Sequence, residues 1–202
     1  MSVPWRVLWL GGSSGTGKST LAQELGRRLG VSVILGDDLR IALQTVTTPA
    51  QLPALHTFVS EASPAYHSSE AFRVGLRAVA DAMAPALSIV AAHHSDTLDA
   101  GPVIIEGDGV LPSLAGDASV GARAVFLHEP EIGAILANLR ARGRGFPEMP
   151  LGLQQVIAEG SWQFGNELVG QALALGLPVV GARPFETVVE RVLSALSEGA
   201  SG

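Results

Sequence analysis

Short apolar runs alternate along this chain with longer stretches in which apolar residues recur every three or four positions, the pattern of a parallel sheet wrapped by helices. The runs predict five strands, over residues 6–11, 31–36, 102–107, 122–128 and 178–182. Pro102-Val103-Ile104-Ile105 and Ala124-Val125-Phe126-Leu127 are apolar without alternation, which suits central strands covered on both faces. Between them, Leu21, Leu25 and Leu29 keep a helical spacing, as do Phe72, Leu76, Val79, Met83 and Leu87, with Arg73, Arg77 and Asp81 on other faces and Pro85 expected to bend the segment. A further helix carries Ile132, Ile135, Leu136 and Leu139, and Phe185, Val188, Val189, Val192, Leu193 and Leu196 form a last stripe. Trp162 and Phe164 read as packing a helix against the sheet rather than stacking a base. There is no internal repeat, so the expectation is one α/β domain over residues 1–202, a three-layer fold with helices on both faces of a five-stranded parallel sheet, and a frayed tail over 198–202.

Composition narrows the setting. At 202 residues and 47% hydrophobic, the chain can build one sizeable core. No uninterrupted apolar run reaches the roughly eighteen residues of a membrane span, and the first strand begins almost at once; the expectation is a soluble cytoplasmic protein with no membrane partner. The absence of cysteine excludes disulfides, thiolate metal sites and cysteine nucleophiles. A net charge of −6 argues against nucleic-acid binding, which neutralises many phosphates with basic side chains. Of 13 Lys and Arg residues, Lys18 is the only lysine.

That lysine lies in Gly12-Ser13-Ser14-Gly15-Thr16-Gly17-Lys18-Ser19, a full match to the phosphate-binding loop, between a predicted strand and a predicted helix. The glycines let successive backbone N–H groups turn inward onto phosphate oxygens, and Lys18 reaches the β- and γ-phosphates as a compact charge that arginine's wide fork would not replace. Ser19 offers its hydroxyl to Mg²⁺, and Thr20 is expected to open a helix whose positive end faces the anion. The cofactors implied are ATP and Mg²⁺.

In such a sheet, ligands bind beyond the carboxyl ends of the strands, which directs attention to a few loops. After the second strand, either Asp37 or Asp38 could take the proton of an incoming hydroxyl while Arg40 holds the acceptor; the competing role for one of the two acids is to cap the next helix. After the third, Glu106 and the glycine-flanked Asp108 look built to admit a ligand close to the backbone. Arg140, Arg142 and Arg144, loosened by Gly143 and Gly145, suggest a short lid over about 140–150 that closes on the transferring phosphoryl group, with Arg142 also on the nucleotide. Arg183, after the fifth strand, is placed where adenine would lie. His93, His94 and Asp96 do not make a metal site, because adjacent histidines point apart and no third ligand is evident.

Taken together, these residues resemble the P-loop small-molecule kinases, and among them 2-phosphoglycerate kinase and its relatives. The stretches that carry the resemblance are the phosphate loop, Gly36-Asp37-Asp38-Leu39-Arg40, Leu52-Pro53-Ala54-Leu55-His56-Thr57 and Ile104-Ile105-Glu106-Gly107. The resemblance implies that Asp37 is the catalytic base and that Arg40, His56, Glu106 and Asp108 line the acceptor pocket; Asp38 is expected near the acceptor as well. The family's Glu-Gly pair is typically followed by a branched apolar residue and histidine, whereas Asp108-Gly109-Val110 follows here, and Asp38 is a further added acid. Two added carboxylates disfavour an anionic phosphoglycerate and favour a neutral or cationic acceptor. Chloramphenicol phosphotransferase, a more distant likeness with an aspartate after its second strand, accepts a neutral alcohol.

The expected activity is therefore ATP-dependent transfer of the γ-phosphoryl group to a hydroxyl or phosphate of a small metabolite. One rival is a nucleoside or nucleotide kinase, for which only Phe58, Tyr66 and Phe72 are available in the expected region to frame a base. Another is an ATP-binding regulatory module with no acceptor. A GTPase of the usual kind is excluded, because its guanine-reading Asn-Lys-x-Asp loop needs a second lysine.

Overall fold

Along the chain β1 (Val7–Gly11) leads into α1 (Lys18–Leu29) and β2 (Ser32–Leu35) into α2 (Gly36–Val46); the long α3 (Ser69–Asp96) precedes β3 (Val103–Glu106). β4 (Ala122–His128) is followed by α4 (Ile132–Arg142) and α5 (Leu151–Ala174), and β5 (Val179–Gly181) by α6 (Val188–Glu198). The computed structural model describes residues 3–60, 62–116, 121–143 and 145–198.

The sheet runs in the order β2-β3-β1-β4-β5, with every neighbouring pair parallel. β1 is central, paired with β3 from Val7 opposite Val103 and with β4 from Val7 opposite Ala122. Because side chains alternate across a strand, β1 divides its apolar residues between two layers. Leu8 and Leu10 join Ile104, Val125 and Leu127 beneath Leu21 and Leu25 of α1 and Val188 and Val192 of α6. Val7 and Trp9 join Ile105 and Phe126 beneath Phe72, Val79 and Met83 of α3 and Phe164 and Leu168 of α5. Trp9, Phe126 and Phe164 are among the largest fully buried side chains, and each such burial is worth about 1.5–3 kcal/mol. The three-layer α/β fold is thus the one expected, and each of the five strands falls where the apolar runs put it.

The helices add detail to the sequence expectation. α3 runs unbroken through Pro85, because Met83 and Leu87 on either side are buried in the core while Pro85 and Asp81, whose carbonyl loses its helical partner, lie on the exposed side. By length and composition α3 could also cross a membrane; here its apolar stripe is spent on the sheet. The polar residues between that stripe tie it to α5, with Glu167 accepting from Arg73 at 2.5 Å and from Arg77 at 2.9 Å. α5 itself was visible only through Trp162 and Phe164. Its buried face includes Gln154, Gly160, Ser161 and Gly165, which dilute the apolar period that announces a helix. Phe164 packs in the core and the Trp162 indole donates to the Pro130 carbonyl, so both do structural work. Beyond Glu198 the expected tail lies outside the described residues.

Candidate active site

The carboxyl ends of β1, β2, β3 and β4 bring four loops to one edge of the sheet. The loop from Gly11 to Lys18 turns on Gly15 and Gly17, whose φ values of 82° and 87° lie in the left-handed region where a side chain would be strained. It is braced from several sides. Thr16 Oγ1 donates to the Ser13 carbonyl at 2.9 Å, Asn138 Nδ2 of α4 donates to the Gly15 carbonyl at 2.7 Å, and Gly165 of α5 lies so close that a Cβ there would sit 2.8 Å from Ser13 Oγ. α1 starts at Lys18, two residues before the expected Thr20, with no capping side chain and no acid in its first turn. Its first backbone N–H groups are left for an anionic ligand.

Two carboxylates, Asp108 and Glu106, gather around the loop. Asp108 forms an ion pair with the Lys18 ammonium, which also donates to the Ser13 carbonyl at 3.2 Å. Asp108 in turn accepts from Ser14 Oγ at 2.5 Å. Burial pulls the Lys18 ammonium down, but Asp108 and then Glu106 outweigh it and leave the lysine above its ordinary range. Burial likewise pushes Asp108 up, and Lys18 and Ser14 more than reverse this, holding the carboxyl below the usual aspartate range. Glu106 is only 3% exposed, and burial raises it above an ordinary glutamate despite the nearby ammonium. Its Oε1 accepts from Ser19 Oγ at 3.0 Å, while its Oε2 is buried with no hydrogen-bond partner. A hard cation beside Ser19 would complete this half-satisfied carboxylate, so the residues present fit Mg²⁺.

Two cavities meet at this point. One, of about 500 Å³, is lined by Gly15 to Thr20 on one side and by Asn138, Arg142, Arg183 and Phe185 on the other. The second, of about 320 Å³, opens from Ser14, Asp37, Arg40 and Asp108 and extends between α3 and the segment after α4. Arg142 lines both. Its guanidinium lies 3.5 Å from Asp37, which Arg40 also approaches at 3.3 Å.

Several expected residues stand elsewhere. Asp38, in the first turn of α2, lines neither cavity, so of the two acids only Asp37 lines the second one. His56 is turned to Thr47, with Nε2 and Oγ1 3.2 Å apart, and is likewise outside both. Arg140 donates from Nε to Gln154 of α5 at 2.7 Å, because it leaves α4 on the face that packs against α5. Glu106 sits against Ser19 rather than on the wall of the second cavity. Arg144 lies outside the described residues. Of the expected lid, Gly143, Phe146 and Met149 line the second cavity.

Three contributors escaped the sequence reading. Glu129, with a side chain 1% exposed, accepts from Arg183 Nε at 2.7 Å and from the Glu131 amide at 3.2 Å, and so fixes the arginine at the first cavity. The sequence signals it only by an acid directly after β4 and before Pro130. Asn138, inside the apolar stripe of α4, gave no signal. Phe185, assigned by its spacing to the last helix, instead precedes it in a short turn and stands over Gly17, where a Cβ would lie 2.7 Å from its ring.

No protein-family model matches the chain. Over 58 residues it is 48% identical to the 2-phosphoglycerate kinase of Pyrococcus horikoshii, a match covering 28% of this chain and 19% of that protein. The likeness therefore reaches about a fifth of the relative's length. Among solved structures, a shikimate kinase from Bacteroides thetaiotaomicron superposes with a TM-score of 0.57 at 18% identity, covering 95% of this chain and 98% of that one. A gluconokinase from Sinorhizobium meliloti 1021 gives a TM-score of 0.53 at 17% identity over 99% and 95% of the two chains. With its phosphate loop between β1 and α1 and its parallel sheet covered on both faces, the chain has the fold of these P-loop kinases.

Proposed function

We propose that the chain is an ATP-dependent, Mg²⁺-requiring phosphotransferase acting on a small hydroxyl-bearing molecule in the cytoplasm. The observation that carries this reading is the meeting of two cavities at one charged centre, with Lys18 on the nucleotide side, Asp37 on the other and Arg142 on both walls. A site for hydrolysis alone needs one ligand pocket; a transferase needs two, in contact.

In this reading the loop amides and Lys18 hold the β- and γ-phosphates, and Arg183 and Phe185 flank the rest of the nucleotide. Ser19 and Glu106 would hold Mg²⁺, which when bound would draw charge from the phosphate oxygens. Asp37, steadied by Arg40 and Arg142, accepts the acceptor's hydroxyl proton. The hydroxyl oxygen forms a bond to the γ-phosphorus as the bond to the bridging oxygen breaks, and that electron pair leaves with ADP. Arg142 stabilises charge on the group in transit. Lys18 exchanges its partner Asp108 for phosphate oxygens. The local likeness to 2-phosphoglycerate kinase supports phosphotransfer on this scaffold.

The test is ADP release with Mg²⁺ and a panel of candidate acceptors. One acceptor should raise the rate well above the background, and Asp37→Asn should abolish the increase. Turnover that no acceptor stimulates, left unchanged in Asp37→Asn, would instead favour an ATP-binding regulatory module.

A further inference from the structure

The second cavity has two unlike ends. Its charged groups, Asp37, Arg40, Asp108 and Arg142, gather where it meets the phosphate loop. Its remaining length is walled by Phe58, Tyr66, Phe72, Met83, Phe146 and Met149, with smaller aliphatic residues of α3 between them. Phe58 and Phe72 stand 4.8 Å apart by ring centroids, and Tyr66 lies 5.7 and 5.8 Å from the two. The Tyr66 hydroxyl donates back to the Phe58 carbonyl at 3.4 Å. Phe72, Val79, Met83 and Phe146 are each less than 9% exposed, so the walls at this end are largely buried as well as apolar.

Apart from the Tyr66 hydroxyl, no polar side chain among the described residues lines this end. A phosphoglycerate, a sugar acid or a polyhydroxylated ring would have to strip water from polar groups that then find no partner, at several kcal/mol per group. An apolar body gains from the same walls in proportion to the area it buries. A nucleobase meets the rings but lacks partners for its edge. At about 320 Å³ the cavity falls in the ordinary range of small-ligand sites.

Resting on the phosphotransferase reading, we infer that the acceptor is an alcohol with an apolar, aromatic-sized body, buried among the Phe58, Tyr66 and Phe72 rings and Met83, with its hydroxyl turned to Asp37. The phosphoryl group ends on that hydroxyl, the proton on Asp37, and the apolar body takes no part in bond making.

The test compares cinnamyl alcohol and geraniol, as apolar probes, with 2-phosphoglycerate, gluconate, shikimate and adenosine, using the full chain with ATP and Mg²⁺. At least one apolar alcohol should exceed every polar compound by about tenfold in kcat/KM. Val79→Thr and Met83→Gln, which keep side-chain size while adding polarity, should raise the apolar acceptor's KM about fivefold to tenfold and leave ADP affinity, the check on folding, in place. A polar compound outperforming both alcohols, with both substitutions silent, overturns the inference while phosphotransfer stands. Calorimetric titration of cinnamyl alcohol into the ADP-bound protein separates the remaining outcomes. Binding weakened by Met83→Gln, without turnover of any acceptor, upholds the apolar site and removes the phosphotransferase reading. The absence of both binding and turnover overturns the inference.

Discussion

Ser19 and Glu106, 87 residues apart in the chain, meet through a hydrogen bond of 3.0 Å from the serine hydroxyl to Glu106 Oε1. The pairing joins the start of α1 to the end of β3 and leaves Glu106 Oε2 buried and unpartnered. It is the one place in the described site where a side-chain hydroxyl and an incompletely satisfied carboxylate converge beside the phosphate loop.

Glu106→Gln keeps the shape and removes the charge. The Mg²⁺ concentration for half-maximal activity should rise by about 10- to 100-fold, the usual effect of losing a group that supports a metal or its ligands. A Mg²⁺ titration at saturating ATP checks it. An unchanged midpoint would place the cation elsewhere.

Asp108 pairs with Lys18, and on the proposed function it would repel the phosphates that take its place. Asp108→Asn should therefore cost about 2 kcal/mol of stability, as expected for a partly buried ion pair that loses one member. The same change should tighten metal-free ADP binding several-fold, because Lys18 is released. The pH dependence has a definite sign. Asp108 titrates below its ordinary range in the fold, so its contribution is present above that range and is lost as pH falls through the depressed value. Thermal unfolding of the two proteins should differ at neutral pH and converge in strong acid.

Arg140 and Arg142 belong to the same last turn of α4 but serve different neighbours. Arg142→Ala should lower kcat by about a hundredfold or more, since it removes charge from the wall shared by the two cavities. Arg140→Ala should leave kcat within about threefold and reduce stability by about 1 kcal/mol, through the lost bond to Gln154. Steady-state kinetics with thermal melts separates the two effects; a larger kcat loss in Arg140→Ala would return that residue to the chemistry.

Glu129→Gln weakens the buried bond that holds Arg183. The KM for ATP should rise about threefold to tenfold with kcat little changed, as when binding common to ground and transition states is lost. A fall in kcat at constant KM would refute the positioning role.

What could be read in advance depended on how locally each feature is encoded. The strands were readable because apolar runs buried on both faces are contiguous, and the phosphate loop because its residues are consecutive. Glu129, Asn138 and Phe185 act through partners 54, 123 and 168 positions away, respectively Arg183, Gly15 and Gly17. No local spacing reports such contacts. The arginines after β4 were recognisable as a group, yet helical geometry sends Arg140 toward α5 and Arg142 toward the cavities. The apolar character of the second cavity was hidden for the same reason: the stripe of α3 that announces a core helix also lines the pocket, and only the packed structure shows which part of it is left uncovered.

The most direct measurement follows the label of γ-phosphate-labelled ATP in the full chain with Mg²⁺ and an apolar alcohol. Label appearing on the alcohol in step with ADP, and lost in both Lys18→Met and Asp37→Asn, is the predicted result. Label found only in inorganic phosphate, at a rate no acceptor changes, would contradict phosphoryl transfer at this site.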